Sequence, residues 1–126
     1  MSQEGGDAFY KMYSVYNSIR TEPDDLVILN VGGTIYNTTK RTLMKIKNGD
    51  VFTQMYNCVK NKKQVFIDRD GSLFKYILNF LRDGNKVVLP LCLQDLKNLL
   101  NEANYYKLKN LEIIIKKQIN LTNCNT

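Results

Sequence analysis

QVFIDRDGSLFKYILNFLRDG, residues 64–84, is the stretch on which the reading of the fold turns. Gln64 to Ile67 reads as a short strand, closed by the polar turn Asp68-Arg69-Asp70-Gly71. From Ser72 to Arg82 the apolar period lengthens to that of a helix. Leu73, Phe74, Ile77, Leu78 and Leu81 make a broad apolar stripe, with Ser72, Lys75, Asn79 and Arg82 on the polar face. Asp83-Gly84-Asn85 ends the pattern, and Gly84 stands where a left-handed C-cap is expected. A strand, a charged turn and an amphipathic helix in direct succession make one piece of a mixed α/β domain.

Upstream, Leu26 to Val31 is a nearly continuous apolar run, as expected of a strand covered on both faces. Gly32-Gly33 is a hairpin signal, because both positions accept positive φ. Thr34 to Thr38 returns as a second strand carrying Ile35 and Tyr36. Thr38 or Thr39 caps a short helix over 40–46, with Leu43 and either Met44 or Ile46 turned inward. Asp50 caps another over 51–57, with Val51, Phe52 and Met55 apolar, and Asn61 to Lys63 form a loop.

Downstream, Lys86 to Leu89 reads as a short strand broken by Pro90. Leu93, Leu96, Leu99, Leu100 and Ala103 predict a helix over 93–104, and Leu108, Leu111, Ile114 and Ile115 one over 107–119. Before the domain, Phe9, Met12, Tyr13, Tyr16 and Ile19 share one face of a helix over 8–20, which Pro23 stops. That helix packs on its own domain or a neighbouring subunit; the sharper alternative is a partner-binding helix. The expected division is an extension over 1–24, a domain over 25–119 and a flexible tail over 120–126, polar from Leu121.

Composition narrows the chemistry. With 126 residues, 44% hydrophobic and 24% charged, the chain suits one soluble globule that needs no disulfide or metal to hold a core. No apolar run approaches the roughly 20 residues of a membrane span. The polar start, Met1 to Asp7, does not read as a signal peptide, so a cytoplasmic protein with Met1 as its true start is expected. Cys58, Cys92 and Cys124 are too scattered for a disulfide framework or a zinc site. The chain has no histidine, which removes His-based acid–base catalysis and His-containing metal sites. Lysines supply most of the net charge of +6, but only Lys60, Lys62 and Lys63, and Lys116 and Lys117, cluster. A solvated surface explains them better than a nucleic-acid site does, so no nucleic-acid partner is expected; a basic nucleic-acid binder stays as the third reading.

Gly32-Gly33 lacks the Lys-Ser/Thr of a phosphate loop and leads into a strand. Asp68 and Asp70 could be paired catalytic carboxylates, but no histidine, nearby cysteine or glycine-rich cradle accompanies them. Asp70 fits better as the cap of the helix that follows. No enzyme and no cofactor is expected. The sequons at Asn37 and Asn120 would matter only in a secreted protein.

The ordered set of these pieces resembles the potassium-channel tetramerisation type of BTB/POZ domain. Val27-Ile28-Leu29-Asn30-Val31-Gly32-Gly33 with Tyr36, Thr38-Thr39 and Thr42-Leu43 looks like its opening. Phe66-Ile67-Asp68-Arg69-Asp70-Gly71 resembles its most typical segment; Phe74, Ile77 to Arg82, Gly84, Leu89-Pro90, Leu96, Leu99-Leu100, Glu102-Ala103 and Tyr105-Tyr106 continue the match over residues 25–115. The resemblance implies a small mixed sheet flanked by helices, and a ring-shaped homo-oligomer of four or five subunits acting as a scaffold. It places a threonine of the second strand and the first aspartate of the turn in a largely polar subunit interface. Those positions here are Thr38 and Asp68, to which Arg69 and Asp70 are added.

The zinc-binding His/Cys motif of some channel members is absent, so no interfacial zinc is expected. Many soluble relatives recruit cullin-3 ubiquitin ligase, which makes a substrate adaptor the alternative function. Here the loop between Met55 and Val65 is short and basic, and Lys45 to Gly49 lacks the family's frequent proline. Both departures bear on that recruitment.

Overall fold

Strand β1 (Leu26–Val31) is the centre of the sheet, with β2 (Thr34–Thr39) antiparallel on one side and β3 (Gln64–Ile67) parallel on the other. The computed structural model describes residues 25–45, 51–52, 55 and 64–124. Across the hairpin Leu26 faces Thr39 and Val31 faces Thr34; on the other side Ile28 lies beside Gln64 and Val31 beside Ile67. The hairpin closes through Gly32 and Gly33 at φ 58° and 104°, the backbone that a two-residue turn demands. The Asn30 carboxamide oxygen accepts from the Gly33 N–H at 2.8 Å.

The side chains of β1 alternate. Val27, Leu29 and Val31 are buried, while Leu26, Ile28 and Asn30 are half-buried. The expectation of a strand covered on both faces is therefore corrected. The outer face carries Ile35 and Phe66, 52% and 63% exposed, which flank Asn30 in the register. Helices cover only the inner face among the described residues, and the period of two follows from that.

Four helices follow the strands: α1 (Lys40–Leu43), α2 (Phe74–Asp83), α3 (Leu93–Tyr105) and α4 (Lys109–Cys124). Thr39 caps α1, its hydroxyl accepting from the Thr42 N–H at 3.2 Å. In α2 the buried residues are Phe74, Ile77, Leu78, Phe80 and Leu81, the expected stripe widened by Phe80. Gly84 has the expected positive φ of 63°, but its ψ of −134° lies outside the left-handed helical region. Lys107 ends α3 at φ 59°, and the Leu108 N–H returns to the Ala103 carbonyl at 3.0 Å. That closing motif puts a lysine where glycine is usual and moves the start of α4 to Lys109. The helix then continues through Leu121 to Cys124.

The strand expected over Lys86 to Leu89 is not formed. A 3₁₀ turn occupies Gly84–Lys86, and the Val87 N–H bonds back to Gly84 at 3.1 Å, so the segment is committed to the end of α2 rather than to a ladder. The helix over 8–20, most of that over 51–57 and the loop at 61–63 fall outside the described residues. Phe52 is described and fully buried; it stacks on Tyr106 at 4.8 Å between centroids, and Tyr106 meets the edge of Phe74 at 5.6 Å. No helix among the described residues is long and apolar enough to cross a membrane.

Two glycines bring the turn after β3 against the hairpin. A Cβ on Gly32 would sit 2.2 Å from the Arg69 carbonyl oxygen, and one on Gly71 would sit 2.3 Å from that of Val31. Both obstacles are backbone and cannot swing aside. Gly32→Ala adds this clash to a positive φ, and it should cost about 2–3 kcal/mol in urea unfolding. Gly33 has nothing within 4 Å of such a Cβ, so Gly33→Ala should cost less than Gly32→Ala. Equal losses would show that the close approach is not what matters.

Candidate functional site

The turn from Asp68 to Gly71 is held from several directions. The Ile67 carbonyl accepts from both Gly32 and Arg69 N–H groups at 2.9 Å. The Tyr36 hydroxyl donates to the Gly71 carbonyl at 2.7 Å. Asp70 accepts from the Ser72 N–H at 3.0 Å, which favours its ionised form and holds its carboxyl below the usual range. This bond corrects the reading of Asp70 as a helix cap. The N-cap of α2 is Leu73, with no side-chain bond, and Asp70 shapes the turn before it.

Arg69 crosses from this turn to α3. Its Nε donates to Glu102 Oε1 at 3.2 Å, and its Nη2 donates to Glu102 Oε2. The guanidinium carbon stands 4.5 Å from the centre of the Tyr105 ring. Glu102 is only 9% exposed, beside the buried Leu99 and Ala103, and a carboxylate so placed requires a cation. The same hydrogen bond raises the pKa of Arg69 above its ordinary value, against a smaller lowering by burial. Arg69 is thus committed within its own subunit. On either side of it Asp68 and Asp70 are exposed, and Asp68 makes no hydrogen bond or ion pair among the described residues. A cleft of about 270 Å³ opens beside the turn, bordered by Asp70, Ser72, Asp95, Asn98, Asn101 and Glu102.

Thr38 lies elsewhere. It is on the inner face of β2 opposite Val27, 5% exposed, and its hydroxyl has no hydrogen-bond partner among the described residues. Thr34, at the other end of β2, touches the position a Gly71 Cβ would occupy. The rise from Thr34 to Thr38 is about 13 Å. The structure therefore groups Asp68, Arg69 and Asp70 and sets Thr38 apart, next to Asn37, whose carbonyl accepts from Arg82 Nη2 at 3.1 Å.

The family model described as BTB/POZ domain matches residues 27–115, which spans the sheet, the turn and α2 to the middle of α4. The chain belongs to the BTB/POZ family. Its type is that of the potassium-channel tetramerisation domain. It is 42% identical over 97 residues to the FH protein interacting protein FIP2 of Arabidopsis thaliana, covering 72% of this chain and 32% of that protein. It is 35% identical over 103 residues to the BTB/POZ domain-containing protein KCTD21 of Homo sapiens, covering 78% of this chain and 39% of that one. The chain thus spans well under half the length of these relatives. A BTB/POZ domain of this type is a protein–protein interaction domain, and the exposed residues of the turn are groups that such contacts use.

Glu102 was missed as part of the site. The signal was in the sequence: an acid set among Leu96, Leu99 and Ala103 on a helix face bound for the core asks for a cation, and only the three-dimensional contact names Arg69. Removing the acid leaves the guanidinium half-buried without its partner. Glu102→Ala should cost about 1–3 kcal/mol in chemical unfolding, whereas Asp68→Ala should change stability by less than about 0.5 kcal/mol. A neutral Glu102→Ala would show that Arg69 does not depend on this pair.

Proposed function

We propose that this domain assembles copies of itself into a ring of four or five subunits and serves as a scaffold, with Asp68, Arg69, Asp70 and Thr38 contributing to the contacts between subunits. The observation that carries the reading is the contrast within the Asp68–Asp70 turn. Its backbone is fastened to the hairpin, its arginine is fastened to α3, and Asp68 is left exposed without a partner among the described residues. A rigid turn presenting an unengaged carboxylate loses little entropy when a second chain supplies the donor. Arg69 contributes by holding the turn rather than by crossing the interface. Thr38 contributes from its own end of the sheet, where its buried hydroxyl lacks a hydrogen-bond partner among the described residues.

A second reading, an adaptor that captures cullin-3, has one observation in its favour. Between α2 and α3, Val88 and Leu91 are 80% and 89% exposed, which is unusual for a segment so close to the core residues Val87 and Leu96 and suits a contact with another protein. Binding of the cullin-3 N-terminal domain that is lost in Leu91→Asp would support it.

Light scattering on the purified chain tests the leading proposal. The expected mass is four or five times the 14.6 kDa of one chain. Asp68→Ala is expected to shift the assembly toward smaller species at the same concentration while the melting temperature of the fold stays put. A strict monomer at micromolar concentrations would sink the proposal, and an unchanged mass in Asp68→Ala would remove that residue from the interface.

A further inference from the structure

We infer that the apolar stripe over residues 8–20 packs on the outer face of its own sheet, so that the start of the chain forms a third layer of the domain. The segment lies ahead of the family match, which begins at residue 27, and its docking does not depend on self-assembly.

The outer face has an apolar surface. Ile35, Asn30 and Phe66 form one row across the sheet at the hairpin end, and Asn37, Ile28 and Gln64 form the next. Leu26 follows at the start of β1. Ile35 and Phe66 are exposed, and no helix covers this face among the described residues. Apolar groups gathered on a surface and rimmed by amides mark a contact.

Of the sequence outside the described residues, the stretch before β1 is the one that suits this face. The segment between α1 and β3 reaches the inner core through Val51, Phe52 and Met55. Residues 56–63 hold Lys60, Lys62 and Lys63, whose charges are costly to desolvate against an apolar face. Residues 8–20 set Phe9, Met12, Tyr13, Tyr16 and Ile19 on one side of the predicted helix and Lys11, Ser14 and Ser18 on the other. The two tyrosines match a face that mixes apolar residues with Asn30, Asn37 and Gln64, because each ring brings a hydroxyl able to hydrogen-bond an amide.

The lengths agree. A helix over 8–20 is about 20 Å long, and the six residues of β1 also span about 20 Å. Pro23 stops the helix, and the link from Thr21 to Asp25 reaches about 17 Å at most, more than the roughly 10 Å between packed layers. A chain that reverses there lays the helix antiparallel to β1. Ile19 then lies nearest Leu26, and Phe9 nearest the row of Ile35, Asn30 and Phe66. So short a tether holds the helix at an effective concentration on the order of millimolar, which favours its own sheet over that of another copy.

Hydrogen exchange read by mass spectrometry on the full chain tests this docking. The amides of residues 8–20 should exchange roughly tenfold or more slowly than those of an unstructured peptide. That protection should not change with protein concentration. Phe66→Asp and Tyr16→Asp, one on each surface, should each abolish it while the amides of β1 stay protected. Ser18→Asp, on the opposite side of the helix, should leave it intact. Unprotected amides over 8–20 in the unaltered chain would overturn the proposal; if Phe66→Asp then also lowers the mass in light scattering, another copy covers the face. Protection that survives Phe66→Asp overturns it too, because the helix then sits elsewhere. Protection that fades on dilution places the helix on a neighbouring subunit and overturns docking on its own sheet. Should Phe66→Asp not fold, Ile35→Asp in the same row takes its place.

Discussion

The close approach of two backbones governs this domain. The carbonyl of Arg69 lies where a side chain on Gly32 would begin, and the carbonyl of Val31 lies where one on Gly71 would begin. Only hydrogen atoms fit at both places. The reciprocal contact lets the turn after β3 nest against the β1–β2 hairpin, and the two bonds to the Ile67 carbonyl fix its height. Because β3 is parallel to β1, the chain has to leave the sheet at the hairpin end. The nest turns it there into α2 and sets the helix on the inner face of the sheet. Phe74, at the start of α2, then meets Tyr36, Phe52 and Tyr106, and the aromatic cluster joins sheet, helices and the Phe52 segment in one core.

Electrostatics refines what packing has set. The buried position of Glu102 would be unfavourable alone, and Arg69 makes it acceptable through a bidentate pair and a face of Tyr105. The pair links the turn to α3, so the turn is held on the hairpin side by backbone and on the helix side by charge. What is left over has consequence. Asp68 and Asp70 are exposed on a turn that is held on both sides. The turn thus holds directional polar groups at fixed positions.

Much of the framework was legible in the sequence. The Gly32-Gly33 hairpin, strand β3, the α2 stripe and the α3 repeat each carried a local signal that agreed with the fold, and their order carried the BTB/POZ resemblance. The failures have local causes. The apolar run of β1 reads as doubly covered, yet Ile28 sits on a face that also holds exposed Ile35 and Phe66, and composition cannot tell which face receives helices. Lys86 to Leu89 has strand-like residues, but its start is taken up by the 3₁₀ turn Gly84–Lys86 and it pairs with no strand among the described residues. Lys107 adopts a left-handed conformation that its residue type does not announce. In the site, the turn was visible as a cluster of charges. The division of labour within it was not, since Arg69 meets Glu102 only after α3 folds back, and nothing local distinguishes the engaged arginine from the unengaged Asp68.

The nesting of turn and hairpin predicts that the two behave as one cooperative unit. Native-state hydrogen exchange tests it most directly, at the Gly32 and Arg69 amides that share the Ile67 carbonyl. Both amides should exchange only through global unfolding, with the same protection as the buried Leu29 at the centre of β1. Exchange through local opening well below the global free energy would contradict the account, because the turn would then be a loose loop laid on the sheet.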